Sequence, residues 1–266
     1  MTDPLLGRSI NRLEDARFVQ GRGRYVADLA APNALHGVVI RSTHAHARIV
    51  AISADAARKM PDVAAVLTGI ELASDNIGPL PCAVTDIIPM TTPLVVPPCH
   101  ALARDVVRYV GEPIAFVVAE SAESARDAAD SVVVEYEPVQ PVVSIADAVL
   151  PGAPQIWAEA MDNIAFQFNR GEIAPVEAAI RAAVHVVECE LVNNRVVAAP
   201  LETRGALGEF DASSGRLHLT ASAAGAHMIR DLLAGSVFRI AKEKLRVSIP
   251  DVGGGFGMKN ALYPEW

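Results

Sequence analysis

Cysteine is scarce in this chain. Its three, Cys82, Cys99 and Cys189, stand far apart, and no C-x-x-C spacing occurs. That excludes a disulfide framework, a zinc knuckle and an iron–sulfur cluster held by this chain alone. The thiols read as the reduced cysteines of a cytoplasmic protein. Basic residues are also in short supply: 23 Lys and Arg face 31 Asp and Glu, for a net charge of −8. No basic run interleaved with aromatics occurs, so nucleic acid is not an expected partner. Long apolar runs are missing as well. The chain is 51% hydrophobic, yet charges and prolines interrupt every apolar stretch before it could span a bilayer. The N-terminal "MTDPLLGRSINRLEDARF" is too charged for a secretory signal. The expectation is a cytoplasmic protein with no membrane span, whose apolar residues fill cores or faces for partner chains.

What is present alternates between strand and helix signals. "LHGVVIRS" (35–42) reads as a buried strand, "SADAARKM" (53–60) as a short helix capped by Ser53, and "DVAAVLTG" (62–69) as a further strand. Residues 77–98 hold six prolines and read as irregular. "RYVGEPIAFVVA" (108–119) reads as a strand pair, "SAESARDAADSV" (121–132) as a helix capped by Ser121, and "VVVEYEPV" (132–139) as a strand. This β-α-β rhythm predicts an α/β domain over about 20–140. A proline-bearing linker follows, within "EPVQPVVSIADAVLPGAP" (137–154). Beyond it, 174–184 reads as helix and 185–197 as extended. Residues 204–222 read as a hairpin around Asp211–Gly215, 226–235 as an amphipathic helix stopped by Gly235, and 244–250 as the last strand.

The chemistry-bearing motif is "DVGGGFGMK" (251–259). Gly253, Gly254, Gly255 and Gly257 permit positive φ and let main-chain N–H groups approach a ligand closely. A dinucleotide fingerprint needs glycine where Met258 stands, and a P-loop needs Gly-Lys-Ser/Thr where Met258-Lys259-Asn260 stands; both fail. By itself the loop could be a tight turn, with Phe256 plugging a core.

Five segments occur in a fixed order: "GRSINRLEDARFVQGRGRYVADL" (7–29), "RYVGEPIAFVVAES" (108–121), "VVVEYEP" (132–138), "APLETRGALGEFD" (199–211) and "PDVGGGFGMK" (250–259). Together they resemble the molybdenum-binding large subunit of the xanthine dehydrogenase and aldehyde oxidase family, nearest to the branch with aerobic carbon monoxide dehydrogenase. The resemblance implies an N-terminal extension (1–19), an α/β-hammerhead domain (20–140), a linker (141–159) and the start of a molybdopterin-binding domain (160–266). It implies a molybdenum held by the pterin dithiolene rather than by any side chain, in the cytosine dinucleotide form of molybdopterin. Gly254, Gly255, Phe256 and Gly257 would line that cofactor. Asn194 would take the place of a family glutamine facing the molybdenum, and keeps its carboxamide with one methylene less reach. Asn260 would stand on the substrate side, where the xanthine-oxidising branch has an acid. Ala223-Ala224 would replace a common threonine–glutamine pair.

Other residues carry plainer readings. Glu202 and Arg204 in "LETRG" fit an ion pair or a backbone anchor better than chemistry. His44 and His46 alternate as strand residues do, and lack the carboxylate or cysteine company of a metal site. The role of the glutamate in "GEP" (111–113) stays open. The implied reaction is oxidation or hydroxylation of an aldehyde, an N-heterocycle or CO with water-derived oxygen. Electrons would pass to [2Fe–2S] clusters on a small subunit and to FAD on a medium subunit. The family's large subunit runs far beyond 266 residues. Its general-base glutamate is expected downstream of this chain, which is therefore expected to be incomplete by itself. A second chain could complete the molybdopterin domain. The alternative from another class is a short, non-catalytic scaffold subunit. Uncovered strand edges and apolar faces in the second half predict that residues 1–266 alone are poorly soluble and 1–145 better behaved. Size-exclusion chromatography of both checks this; a monodisperse, sharply melting 1–266 monomer contradicts it.

Overall fold

The most apolar run of the first half, "PIAFVVA", has no polar face to turn to water, so it belongs at the centre of a sheet. The structure, a computed structural model, describes residues 6–29, 31–82 and 92–266. In it this run is strand β5 (Pro113–Ala119), paired on one side with β1 (His36–Arg41) and on the other with β3 (Val63–Thr68). Pro113 stands first in β5, where a missing N–H costs least. A second sheet sets β2 (Ala47–Ser53) between β4 (Val106–Val107) and β6 (Val133–Pro138). Successive strands thus alternate between the two sheets: β1, β3 and β5 in one, β2, β4 and β6 in the other.

Every ladder in these two sheets is antiparallel. The β-α-β order read from the sequence is present, and the architecture is the α+β variety. The reason is that a strand and its successor never pair, so no helix serves as the crossover of a parallel pair. Helix 122–130 is capped as expected, the Ser121 hydroxyl accepting from the Ser124 N–H at 3.0 Å. Its buried Ala125 and Ala128 carry no side chain beyond Cβ, which lets the helix lie close on the sheet. Ala128 packs with Ala57, Val66 and Val117. Ala47, Ala103, Val107 and Ile114 form a second small core.

The second half builds a third sheet around the expected hairpin. β7 (Ala206–Asp211) and β8 (Arg216–Ala221) are antiparallel, and Asp211 closes their turn by accepting from the Ser213 N–H at 2.9 Å and from the Ser213 and Ser214 hydroxyls. β9 (Leu245–Ser248) adds in parallel to β8 after a helical crossover. That crossover packs Ile229, Leu233 and Val237 onto Leu219, Ala221 and Leu245. β9 then delivers the chain to the glycine-rich loop.

Four local expectations are corrected. Ser53 ends β2 and caps nothing; helix 55–58 starts after Ala54. Gly235 does not stop its helix, because a π-turn carries it through Leu233–Val237 and buries Ala234 and Val237. Burial of that turn outweighs the local cost of glycine. Residues 185–197 join no sheet among the described residues; Val187, Leu191 and Val196 are exposed. His44 and His46 lie in the loop between β1 and β2, and His46 is buried with Nδ1 3.2 Å from the Gln140 carbonyl. Of the proline-rich stretch 77–98, residues 83–91 lie outside the described residues. Among the described residues no helix is long and apolar enough to cross a membrane. Ile114 is fully buried between β4 and its neighbours. Ile114→Ala should therefore cost about 2–5 kcal/mol, read as a lower urea midpoint.

Candidate functional site

The loop after β9 is shaped by a reversal that few residues tolerate. The Met258 N–H donates to the Gly255 carbonyl at 2.8 Å, and the two residues between have φ of +47° (Phe256) and +85° (Gly257). Glycine accepts this conformation freely; for a bulky aromatic it costs about 1–3 kcal/mol. The strained Phe256 is not plugging a core: it is 78% exposed. Gly254, at φ +97°, precedes this turn. The N–H groups of Gly254, Gly255, Phe256 and Gly257 donate to nothing among the described residues. Four successive free donors in a loop of mixed handedness form a concavity suited to an anion or a carbonyl-like acceptor. Among the described residues no atom lies within 4 Å of where a Cβ on Gly257 would sit, so the loop is open there.

Two carboxylates hold the start of the loop. Asp251 receives the Arg17 guanidinium on both oxygens, one of them at 2.7 Å, and the Arg24 N–H at 2.7 Å. Its own N–H donates to the Arg24 carbonyl at 3.0 Å, so the N-terminal segment straps onto the loop. Glu202 reaches from the opposite side. Its Oε2 accepts from the Gly253 N–H at 2.7 Å, the Ser222 hydroxyl at 2.7 Å and the Lys259 ammonium at 2.8 Å. Burial pushes the Glu202 carboxyl up, but the bonds from Lys259, Gly253 and Ser222 outweigh it and hold it below its usual range. Gly253 must be glycine here, since a Cβ would sit 2.5 Å from that of Glu202. The loop's far end is fixed by the Ala224 N–H, which donates to the Lys259 carbonyl at 2.9 Å.

Of the residues singled out from the sequence, Gly254, Gly255, Phe256 and Gly257 form this one turn, and exposed Asn260 follows it. Asn194 is exposed, in the segment 184–197, and bonds to no other described residue. Glu202 is the anchor expected of "LETRG", but its partner is Lys259 rather than Arg204. Arg204 instead stacks 3.8 Å over the Tyr263 ring and lies 4.0 Å from the Glu265 carboxylate. From the sequence, Lys259 stands only where a P-loop match fails, and Ser222, Asp251 and Arg17 carry no expected role. The one available signal was a lysine closing a glycine-rich loop in an otherwise apolar setting. The Glu112 carboxylate accepts from the Arg108 N–H, closing the turn ahead of β5. A cleft of about 1350 Å³ between the first and third sheets, walled by Val39, Phe116, Leu219 and Phe238, excludes the glycine loop. Among the described residues no group of three or more His, Cys, Asp or Glu is placed to hold a metal ion. The donors the loop leaves free are backbone N–H groups, which fit an acceptor held by hydrogen bonds.

Both halves of the chain are similar to known proteins. Residues 20–140 match the family model of the aldehyde oxidase and xanthine dehydrogenase a/b hammerhead domain, and residues 156–265 that of the molybdopterin cofactor-binding domain. The chain is 37% identical to the nicotine 6-hydroxylase large subunit of Paenarthrobacter nicotinovorans, over 100% of this chain and 31% of that protein. It superposes on quinoline 2-oxidoreductase from Pseudomonas putida 86 with a TM-score of 0.82 and 35% identity, covering 97% of this chain and 32% of that one. For the reconstituted CO dehydrogenase of Oligotropha carboxidovorans the TM-score is 0.85 and the identity 31%, with 98% and 32% covered. The chain spans about a third of the length of the relatives it matches.

The strap at Asp251 makes a pH prediction. The bond from Arg17, then that from the Arg24 N–H, lowers its carboxyl to about 2. A carboxyl depressed in the folded state contributes stability that is complete above the ordinary range near 4 and lost as pH falls toward 2. Melting temperature should thus fall over that window, and Asp251→Asn should flatten that part of the profile. An unchanged profile in the variant would remove the strap from the account.

Proposed function

The chain belongs to the xanthine dehydrogenase and aldehyde oxidase family, and from that membership we propose that it is the cofactor-side part of the large subunit of a molybdenum hydroxylase. The observation that carries the reading is the row of four unbonded N–H groups at residues 254–257, set on strained backbone at the end of β9. When bound, a molybdenum–molybdopterin cofactor supplies a two-electron oxidation that uses oxygen drawn from water. The chain's own part is to hold and orient it. Gly254, Gly255 and Gly257 offer main-chain donors that cannot titrate and need no reorganisation. Phe256, exposed on the turn, limits the approach of substrate and water to the same spot. Asn194 offers a carboxamide from the segment 184–201, and Asn260 faces the substrate side.

The finer assignments follow the same reading. The hammerhead domain occupies 20–140 after an extension at 1–19; a linker (141–159) joins it to the cofactor-binding domain, from 160 onward. The cofactor is the cytosine dinucleotide form. FAD sits on a medium subunit and the [2Fe–2S] clusters on a small subunit of a cytoplasmic complex, and no residue of this chain is assigned as general base. Among aldehydes, N-heterocycles and CO, the N-heterocycle is favoured, since the relatives named for nicotine and quinoline share 37% and 35% identity. A non-catalytic scaffold is not favoured, because the loop keeps its free donors.

The test is composition, then turnover. The complex purified from its native cell should contain molybdenum and pterin in proportion to this subunit, and should release a cytidine nucleotide on acid hydrolysis. It should oxidise an N-heterocycle faster than an aldehyde or CO. A complex free of molybdenum and pterin sinks the proposal; a loaded complex that prefers CO corrects only the substrate class.

A further inference from the structure

Lys259 is the largest fully buried side chain among the described residues, and the functional reading gives it no task. A buried ammonium is costly unless it is paired and hydrogen-bonded, so its retention requires a reason. Its side-chain partner among the described residues is Glu202, at 2.8 Å. Ser222, the second donor to the same oxygen, is also fully buried and follows directly on β8. The third donor is the Gly253 N–H, one residue ahead of the free row at 254–257. One carboxylate oxygen therefore joins the sheet, the start of the loop and the residue just beyond the loop's turn.

The consequence is geometric. The reversal at Phe256 and Gly257 lies between two fixed points, Gly253 and Lys259, and both points meet at Glu202 Oε2. The positive φ of Phe256 is a conformation the chain would leave if either point were released. No Glu202 atom lies within 4 Å of where a Cβ on Gly257 would sit, and its Oε2 is taken up by three donors, which fits a positioning role rather than contact with the reacting atoms. We infer that Glu202 and Lys259, with Ser222 as support, are positioning residues that hold the four loop N–H groups in the arrangement the cofactor requires. This rests on the cofactor reading above. Two fixed charges suit the task better than apolar packing. Their joint geometry is narrow, as a charge-assisted bond of 2.8 Å is directional, whereas apolar contacts tolerate sliding. Groups of this kind, one bond removed from the functional donors, typically change metal affinity or activity by 10–100-fold when lost.

The experiment uses the complete complex, with molybdenum and pterin measured per subunit and loop amide exchange at 254–257 followed by mass spectrometry. Glu202→Gln and Lys259→Met should each lower cofactor content about tenfold or more and speed exchange across 254–257. Lys259→Arg, which keeps the charge and the donor, should restore most of the loading. The double variant Glu202→Gln/Lys259→Met removes both buried charges together, so it should melt close to wild type and yet remain poorly loaded. Ser222→Ala leaves both charges paired and folds even where the single charge variants do not; it should lose loading about fivefold. If the double variant or Ser222→Ala folds and loads like wild type, the positioning role is overturned. If arginine fails to rescue while the protein stays folded, the role assigned to the charge is overturned as well. A wild-type complex with no molybdenum or pterin is a different failure: it removes the cofactor reading, and this inference with it.

Discussion

One carboxylate oxygen organises the second half of this molecule. Glu202 Oε2 collects a backbone N–H from the glycine loop, a hydroxyl from the end of a central strand and a fully buried ammonium. Each donor alone would be worth about 1–3 kcal/mol in so protected a setting. Their significance is that they converge. A loop with four glycines has a large conformational entropy to lose, and without cross-links it would sample many shapes. The convergence on Glu202 confines its ends, and the turn between is left only a left-handed path.

The start of the same loop is also held by a partner far away in sequence. Arg17 and Arg24 come from the N-terminal segment, which the fold brings round to the residue that opens the loop. The strap and the anchor work differently. The Arg17–Asp251 pair is partly open to solvent and weakens in acid or salt. The Glu202–Lys259 pair is shielded, and its weakness is instead that either partner, left alone, is an unpaired buried charge. A loop that must present main-chain donors gains from both, since neither uses up the N–H groups at 254–257.

The cores of the two sheets of the first half are, among the described residues, built on apolar side chains. They rest on small residues, Ala47, Ala57, Ala115, Ala125 and Ala128, all fully buried. Small side chains allow close approach of helix and sheet but bury little area each, so stability there comes from many close contacts. By contrast, the segment 184–201 and the helix at 173–182 turn Ile173, Val187, Leu191 and Leu201 to solvent. Apolar side chains exposed in such number over one stretch are uncommon on a free surface.

The sequence by itself determined the elements and the chemistry of the loop. Short apolar, β-branched runs marked β1, β3, β5 and β6, and the Ser121 cap and alanine spacing marked helix 122–130. The hairpin at 206–221 was legible from its turn residues, because the Asp211 and Ser213 bonds are local. Glycines at 253–255 and 257 announced a backbone-donor loop, and the ordered motifs announced the family. Only the tertiary structure decided the rest. Antiparallel pairing across two sheets depends on which strands meet, and local pattern does not encode that. The helix ran past Gly235 because burial of Val237 outweighed propensity. Phe256 could have been core or rim by sequence, and its left-handed φ with open space beside it decided for the rim. Lys259 found Glu202 across 57 residues. Pairing over such a distance follows from how the chain folds back on itself, since a lysine and a glutamate attract one another equally well in many folds.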